Sequence, residues 1–262
     1  MMGPAHSLSG AAAWLGVGAA AAYAGHPMPW PVLLVGALIC AGAALAPDLD
    51  QPSATISRAF GPLSRILAVL IGRLAAAVYN ATRSTRERRR TSGHRTLTHT
   101  WVWAVFIGSG FSLAAVAFDR WAVLAILFIH MVLAVEGLLW RMARVSSDVL
   151  VWLLGATSAW LLAAVLDQPG NGSDWLFDGQ PYLWIGLPIV LGAVVHTLGD
   201  ALTISGCPML WPLPIAGKRW YPLGTPRFMR FRAGAWVENR ILMPAFMVAG
   251  AASGLSALAM AA

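Results

Sequence analysis

Residues 93–137 read GHRTLTHTWVWAVFIGSGFSLAAVAFDRWAVLAILFIHMVLAVEG, and the architecture follows from them. A polar, imidazole-bearing segment opens into two apolar runs, 101–118 and 121–139, parted only by Asp119 and Arg120. A helix of about 18 residues reaches roughly 27 Å at 1.5 Å per residue, short but sufficient for a hydrocarbon core. Apolar runs of the same kind lie near 8–25, 31–46, 149–166, 182–199 and 241–260. Seven spans are therefore expected, in an all-α, polytopic membrane helical bundle forming a single domain over 1–262.

The composition excludes an ordinary soluble domain. Of 262 residues, 58% are hydrophobic and 11% charged, against roughly 25% charged in globular chains. The mean hydropathy is +0.67. Such a chain lacks the polar surface to cover itself in water, so lipid must cover part of it. The 13 Trp residues fit a membrane–water boundary. Cys40 and Cys207 are too few for a disulfide framework or a thiolate cluster.

Residues 60–82 (FGPLSRILAVLIGRLAAAVYNAT) differ from the spans. Arg58, Arg65 and Arg73 recur seven or eight apart, on one helical face, which predicts an amphipathic helix lying in the interface. The N-terminal apolar core has no preceding Lys or Arg, so an uncleaved first helix is expected rather than a signal peptide.

The basic residues set the expected orientation. Nine Arg lie in 47–99, Arg141 and Arg144 between the fourth and fifth spans, and Lys218 with five Arg in 201–240. Alternating spans put all three segments on one side, leaving only Arg120 opposite. The positive-inside tendency makes that side cytoplasmic, with the N-terminus inside and the C-terminus outside. The run 83–90 (RSTRERRR) lacks interleaved aromatics and is assigned to topology and anionic-lipid attraction, with no nucleic-acid partner expected.

In a chain this poor in charge, polar residues near span ends need a reason. His6 precedes the first span. Asp48 and Asp50 follow the second in Pro47-Asp48-Leu49-Asp50, and His94 and His99 open the third. His196 and Asp200 close the sixth, and Glu238 precedes the seventh. All fall on the cytoplasmic side of an orientation fixed without reference to them. His196 and Asp200, four apart, share a helical face. His94 and His99, five apart, lie about 140° around a helix, and converge only if His94 sits in the preceding loop and His99 in the first turn. Gly93 and a Thr96 or Thr98 cap would allow that. Together these residues form a mixed N/O set suited to two or more divalent ions, zinc first, with manganese or iron as alternatives. The expected metal ligands are His6, Asp48, Asp50, His94, His99, His196 and Asp200. Asp50 and Glu238 are also candidates for a general base, and Arg95 for holding a phosphate oxygen. His130, mid-span, is read as a buried hydrogen-bonding group. Gly-rich phosphate loops, G-x-S-x-G, H-E-x-x-H and C-x-x-C are absent from the sequence.

Pro47–Asp50, the G-H-R-x-x-T-H element at Gly93–His99, H-x-x-x-D at His196–Asp200 and G-x-x-x-L-W-P at Gly206–Pro212 together resemble a family of bacterial inner-membrane metal-dependent hydrolases. That family is described as LexA-regulated or LexA-binding. His6 and Glu238 also match it. The resemblance implies a mostly helical metal hydrolase. The expected function is a membrane-bound metal-dependent hydrolase cleaving a phosphoester or lipid-linked phosphate. A regulatory or scaffold membrane protein with a structural metal, or a divalent-metal transporter, are the alternatives. Membrane lipids are the expected partners.

Overall fold

The computed structural model describes residues 1–139 and 147–261; Arg141 and Arg144 lie outside them. Helix α1 (Gly3–Tyr23) and α2 (Trp30–Ala43) each carry Pro in the first turn, where its missing N–H has no helical partner to lose. A 3₁₀ turn, Ala46–Asp50, leaves α2. The short α3 (Ile56–Ala59) leads into α4 (Gly61–Thr82), and a second 3₁₀ turn, Leu97–His99, into α5 (Trp101–Leu138). Then come α6 (Asp148–Leu166), α7 (Gly186–Ala201), a π turn at Glu238–Leu242 and α8 (Met243–Ala261). Among the described residues, β pairing is confined to isolated bridges such as Cys207 with Leu223. The chain is an all-α membrane bundle.

Six helical segments are long and apolar enough to cross a membrane. One of them, α5, is really two: Asp119 adopts φ 48 and ψ −136 inside it. The chain reverses there. His99, just before α5, and Gly137, near its end against Ser7, both lie at the same end of the bundle as Leu45 and Asp50. The seven expected runs fall on α1, α2, the two halves of α5, α6, α7 and α8; the six segments, however, include α4, which was expected to lie in the interface, and do not include α1. The first helix starts earlier than its apolar run, because Pro4 nucleates α1 at Gly3; His6 is therefore inside the helix, not before it.

Helix α2 is buried along nearly its whole length, with α1, α5 and α7 packed around it. Lipid offers no hydrophobic drive between helices, so close backbone approach must hold them. A Cβ on Gly10 or Gly192 would sit 2.6 Å from the Cys40 carbonyl oxygen, and one on Gly42 2.4 Å from that of His130. Those glycines bring the ends of α1, α2 and α7 together where the polar residues lie.

Helix α4 departs from the expected arrangement in two ways. Arg58 is not on it: Phe60 and Gly61, the latter at φ 59, break the chain between α3 and α4, so the three arginines do not share one helical face. Its small-residue face, Ser64, Ala68, Gly72, Ala75 and Ala76, is turned onto the loops of the polar cluster. A Cβ on Gly93 would lie 2.3 Å from the Gly72 carbonyl oxygen, and one on Gly72 3.1 Å from that of Asp50. Leu63, Ile66 and Leu70 are exposed on other faces.

Candidate metal centre

Four separate chain segments converge at one end of the bundle. The second turn of α1 supplies His6 and the 3₁₀ turn after α2 supplies Asp48 and Asp50. The Gly93–His99 segment supplies His94, Arg95 and His99, and the last turns of α7 supply His196 and Asp200. The condition on His94 and His99 is met: His94 is in the loop, His99 closes a 3₁₀ turn, and their rings stand edge to face with centroids 5.5 Å apart. The helix cap is Thr100, which accepts from the Trp103 N–H, and not Thr96 or Thr98. Thr98 is committed elsewhere, donating to Asp50 Oδ2 at 2.6 Å.

His6, His99 and His196 are completely buried, and their hydrogen bonds fix which nitrogen is bare. His196 Nδ1 donates to the Ala44 carbonyl at 2.8 Å, so its Nε2 carries the lone pair. His99 Nδ1 lies 3.0 Å from Thr98 Oγ1, whose own proton goes to Asp50. The hydroxyl therefore accepts from Nδ1, and His99 Nε2 is bare as well. Neither Nε2 has a hydrogen-bond partner, nor has either nitrogen of His6.

These bare nitrogens face carboxylates. His99 Nε2 is 3.5 Å from Asp48 Oδ1 and 3.7 Å from Asp200 Oδ2; His196 Nε2 is 3.6 and 3.8 Å from the same two oxygens. His6 Nε2 lies 3.5 Å from Asp200 Oδ1, and the His6 and His196 rings stack at 3.8 Å. A lone pair facing an anion in a buried site is unfavourable without a cation between them. Two ligand atoms bound at ~2.1 Å to one tetrahedral ion stand ~3.4 Å apart, close to the spacings seen. Three overlapping ligand sets result: His6, His196 and Asp200; Asp48, His99 and His196; Asp48, Asp50 and His94. The residues fit a divalent-metal centre.

Asp50, buried, accepts from His94 Nδ1 at 2.9 Å through Oδ1 and from Thr98 through Oδ2. It thereby orients both imidazoles, as carboxylates behind metal-binding histidines do. Arg95 reaches Asp200 Oδ2 at 2.9 Å and Thr203 Oγ1 at 3.3 Å. It does so from a left-handed backbone, φ 55, a conformation that costs about 1–3 kcal/mol in a non-glycine residue. The Met1 main-chain nitrogen is 2.7 Å from Asp200 Oδ1. Glu238 is not in the ligand sets: its oxygens accept from the main-chain N–H of Met2 and Gly234, at 2.5 and 2.7 Å. That fixes the start of α1, and hence the placement of His6. Gly199, within H-x-x-x-D, is needed for that approach, since a Cβ there would lie 3.2 Å from the His6 ring.

The Gly206–Pro212 segment braces the cluster from behind. Cys207 exchanges two backbone hydrogen bonds with Leu223, and its thiol donates to the His99 carbonyl at 3.3 Å. Burial pushes that thiol well up, so it stays protonated. His130 donates from Nδ1 to the Ile126 carbonyl at 2.7 Å. Sequence reading missed Glu87, a buried acid inside the basic run 83–90. Its carboxylate accepts from the backbone N–H of Ser84 and Trp220 at 2.7 Å and of Arg219 at 3.3 Å. A lone acid among arginines was the available signal.

A cavity of about 620 Å³ opens onto the cluster, lined there by Asp48, His94, Arg95 and Asp200. A smaller one of about 180 Å³ lies across the His94–Arg95 ridge, between Arg90, Gly206 and Trp220.

Bundle and cluster together define a polytopic membrane protein whose buried His/Asp constellation is suited to holding metal. Residues 1–140 match the YdjM inner membrane protein family, and the chain belongs to that family. The match covers His6, Asp48, Asp50, His94 and His99 and agrees with the inner-membrane part of the resemblance; it carries no statement about a reaction. No curated protein and no solved structure shows detectable similarity to the chain.

Proposed function

We propose that the chain is a membrane-bound, metal-dependent hydrolase acting on a phosphoester or lipid-linked phosphate at the cytoplasmic face. The observation that carries this is the set of buried imidazole nitrogens without hydrogen-bond partners on His6, His99 and His196 that face shared carboxylates, beside a cavity large enough for a small-molecule head group. Divalent ions held there would supply a Lewis acid and a bound water acidic enough to attack near neutral pH. The chain's own residues do the positioning. Asp50 sets the orientation of His94 and His99, and Ala44 that of His196. Arg95 pins Asp200 while facing the cavity, where it can contact an anionic substrate. Asp48, a quarter exposed, is the most open carboxylate of the three and presents the cluster to the cavity.

The distribution of basic residues supports the cytoplasmic orientation, and the exposed apolar surface of α4 supports contact with lipid beside the cavity. One observation favours a second reading, a scaffold with a structural metal: His6, His196 and Asp200 are all buried, as in a closed site. Elemental mass spectrometry on detergent-purified protein, prepared without chelators, tests the proposal beside a phosphoester screen. Two or more ions per chain with phosphate release are expected. Bound metal without turnover of any phosphoester would favour the scaffold, and wild-type protein without metal would overturn both.

A further inference from the structure

The large cavity has a second charged region that the metal centre does not use. Its wall includes Arg58 from α3 and Arg65 from α4. The break at Phe60–Gly61 sets the two on one cavity although they belong to different helices. Among the described residues neither makes an ion pair within 4.0 Å or a side-chain hydrogen bond, although Arg58 is near enough to Glu136 to feel its charge. Glu136 and Asp148 line the same cavity from α5 and α6. Beside Arg65 on α4, Leu63, Ile66 and Leu70 are more than half exposed, a surface fit for acyl or prenyl chains.

We propose that Arg58 and Arg65 form a second anion subsite, so that the molecule bound is a lipid diphosphate: one phosphate at the His/Asp centre, the other on the arginines, the tail along α4. This rests on the hydrolase reading for its metal end. Arg58 and Arg65 line the same cavity of about 620 Å³ as Asp48, His94 and Asp200, and guanidinium forks are matched to phosphate oxygens. The exposed leucines distinguish a lipid from a free diphosphate.

The test is calorimetric titration of the metal-loaded protein in phosphatidylcholine nanodiscs with farnesyl diphosphate, farnesyl monophosphate, inorganic pyrophosphate and inorganic phosphate. Farnesyl diphosphate is expected to bind at least about tenfold tighter than the monophosphate. The Arg58→Gln/Arg65→Gln variant should lose that preference with unchanged metal content and melting temperature. The Arg58→Lys/Arg65→Lys variant, which keeps the charge, should retain part of it. Equal affinity for mono- and diphosphates in the wild type, or an undiminished preference in the Gln variant, overturns the subsite. Equal affinity for farnesyl diphosphate and inorganic pyrophosphate overturns the lipid assignment. Diphosphate preference without phosphate release would leave the subsite standing and remove only the hydrolase reading.

Discussion

The two ends of the bundle treat charge in opposite ways. At one end Asp167 meets Arg120 at 3.5 Å and the Tyr182 hydroxyl, with the Arg120 side chain 52% exposed and that of Asp167 28%. Those groups have partners and reach solvent. At the other end three imidazoles are wholly buried, four of their nitrogens have no partner, and carboxylates stand 3.5–3.8 Å away. Unpaired polar atoms at such depth cost about 1–3 kcal/mol each, and the fold brings them together from four segments. The first end is a solvated ion pair of the kind any helix end carries. The second makes physical sense once a cation is placed between nitrogens and oxygens.

The sharpest way to break that contrast is to remove one charge from each end. Asp200→Ala is expected to lose essentially all bound metal, because Asp200 faces His6, His99 and His196 at once. Asp167→Asn should leave metal content unchanged. Elemental mass spectrometry of both variants, with membrane insertion checked by fractionation, decides it. Chelation of the wild type should also lower its melting temperature, since an ion at a hundred times its dissociation constant stabilises by about 2.7 kcal/mol. Equal metal in Asp200→Ala and wild type would sink the ligand assignment.

Backbone contacts sharpen the comparison next. At the His/Asp end Gly93 lies against the Gly72 carbonyl, where a Cβ would come within 2.3 Å; within α5, Gly110 has nothing within 4 Å. Gly93→Ala should destabilise by about 1–3 kcal/mol and displace His94. Gly110→Ala should be neutral or stabilising by up to about 1 kcal/mol. Thermal melts with metal content as a second readout test the pair, and equal effects of the two substitutions would count against tight packing of α4 on the motif loop.

The spans and the gathering of His and Asp residues at one end were legible because both leave periodic or compositional traces: apolar runs for the first, the arginine distribution for the second. Turns leave fainter ones. Spacing alone put Arg58 on one face with Arg65 and Arg73; the signal passed over was the Gly61-Pro62 dipeptide, where Gly61 adopts a positive φ and Pro62 opens a new helix. The assignment of the cap to Thr96 or Thr98 failed for a related reason: three threonines in five residues compete, and Thr98 is drawn off by Asp50, 48 positions away. Glu87 was hidden by its neighbours, as its partners Arg219 and Trp220 lie 132 and 133 residues on. Local pattern shows which residues share a helix face. It does not show which loop a carboxylate will tie down.

Glu87 gives an intermediate effect at the His/Asp end. Hydrogen bonds to a charged acceptor contribute about 1.5–3 kcal/mol, so Glu87→Gln, which retains one acceptor oxygen, should destabilise by about 1–2 kcal/mol. Burial works against the charged carboxylate, but the N–H groups of Ser84 and Trp220 more than offset it and hold the group below its ordinary 4.5. A depressed carboxylate contributes stability that is fully present above its unfolded value and is lost as the pH falls through the folded one. The wild type should therefore lose this increment on acidification below about 4.5, and Glu87→Gln should not. Melting curves across that range check it; parallel curves for the two proteins would remove Glu87 from the account.

The smallest effect is expected at the far end. Arg120 is half exposed and meets Asp167 at 3.5 Å, and pairs of that kind are worth about 0–1 kcal/mol. Arg120→Ala should shift the melting temperature by little and leave metal content untouched, with any shift shrinking as salt screens the pair. The substitution matters because Arg120 directly follows Asp119, where the chain reverses within α5. Were Arg120→Ala as damaging as Gly93→Ala, the Asp167 end would hold the hairpin through charge rather than through packing, and the contrast between the ends would lie in what they bind, not in how they are built.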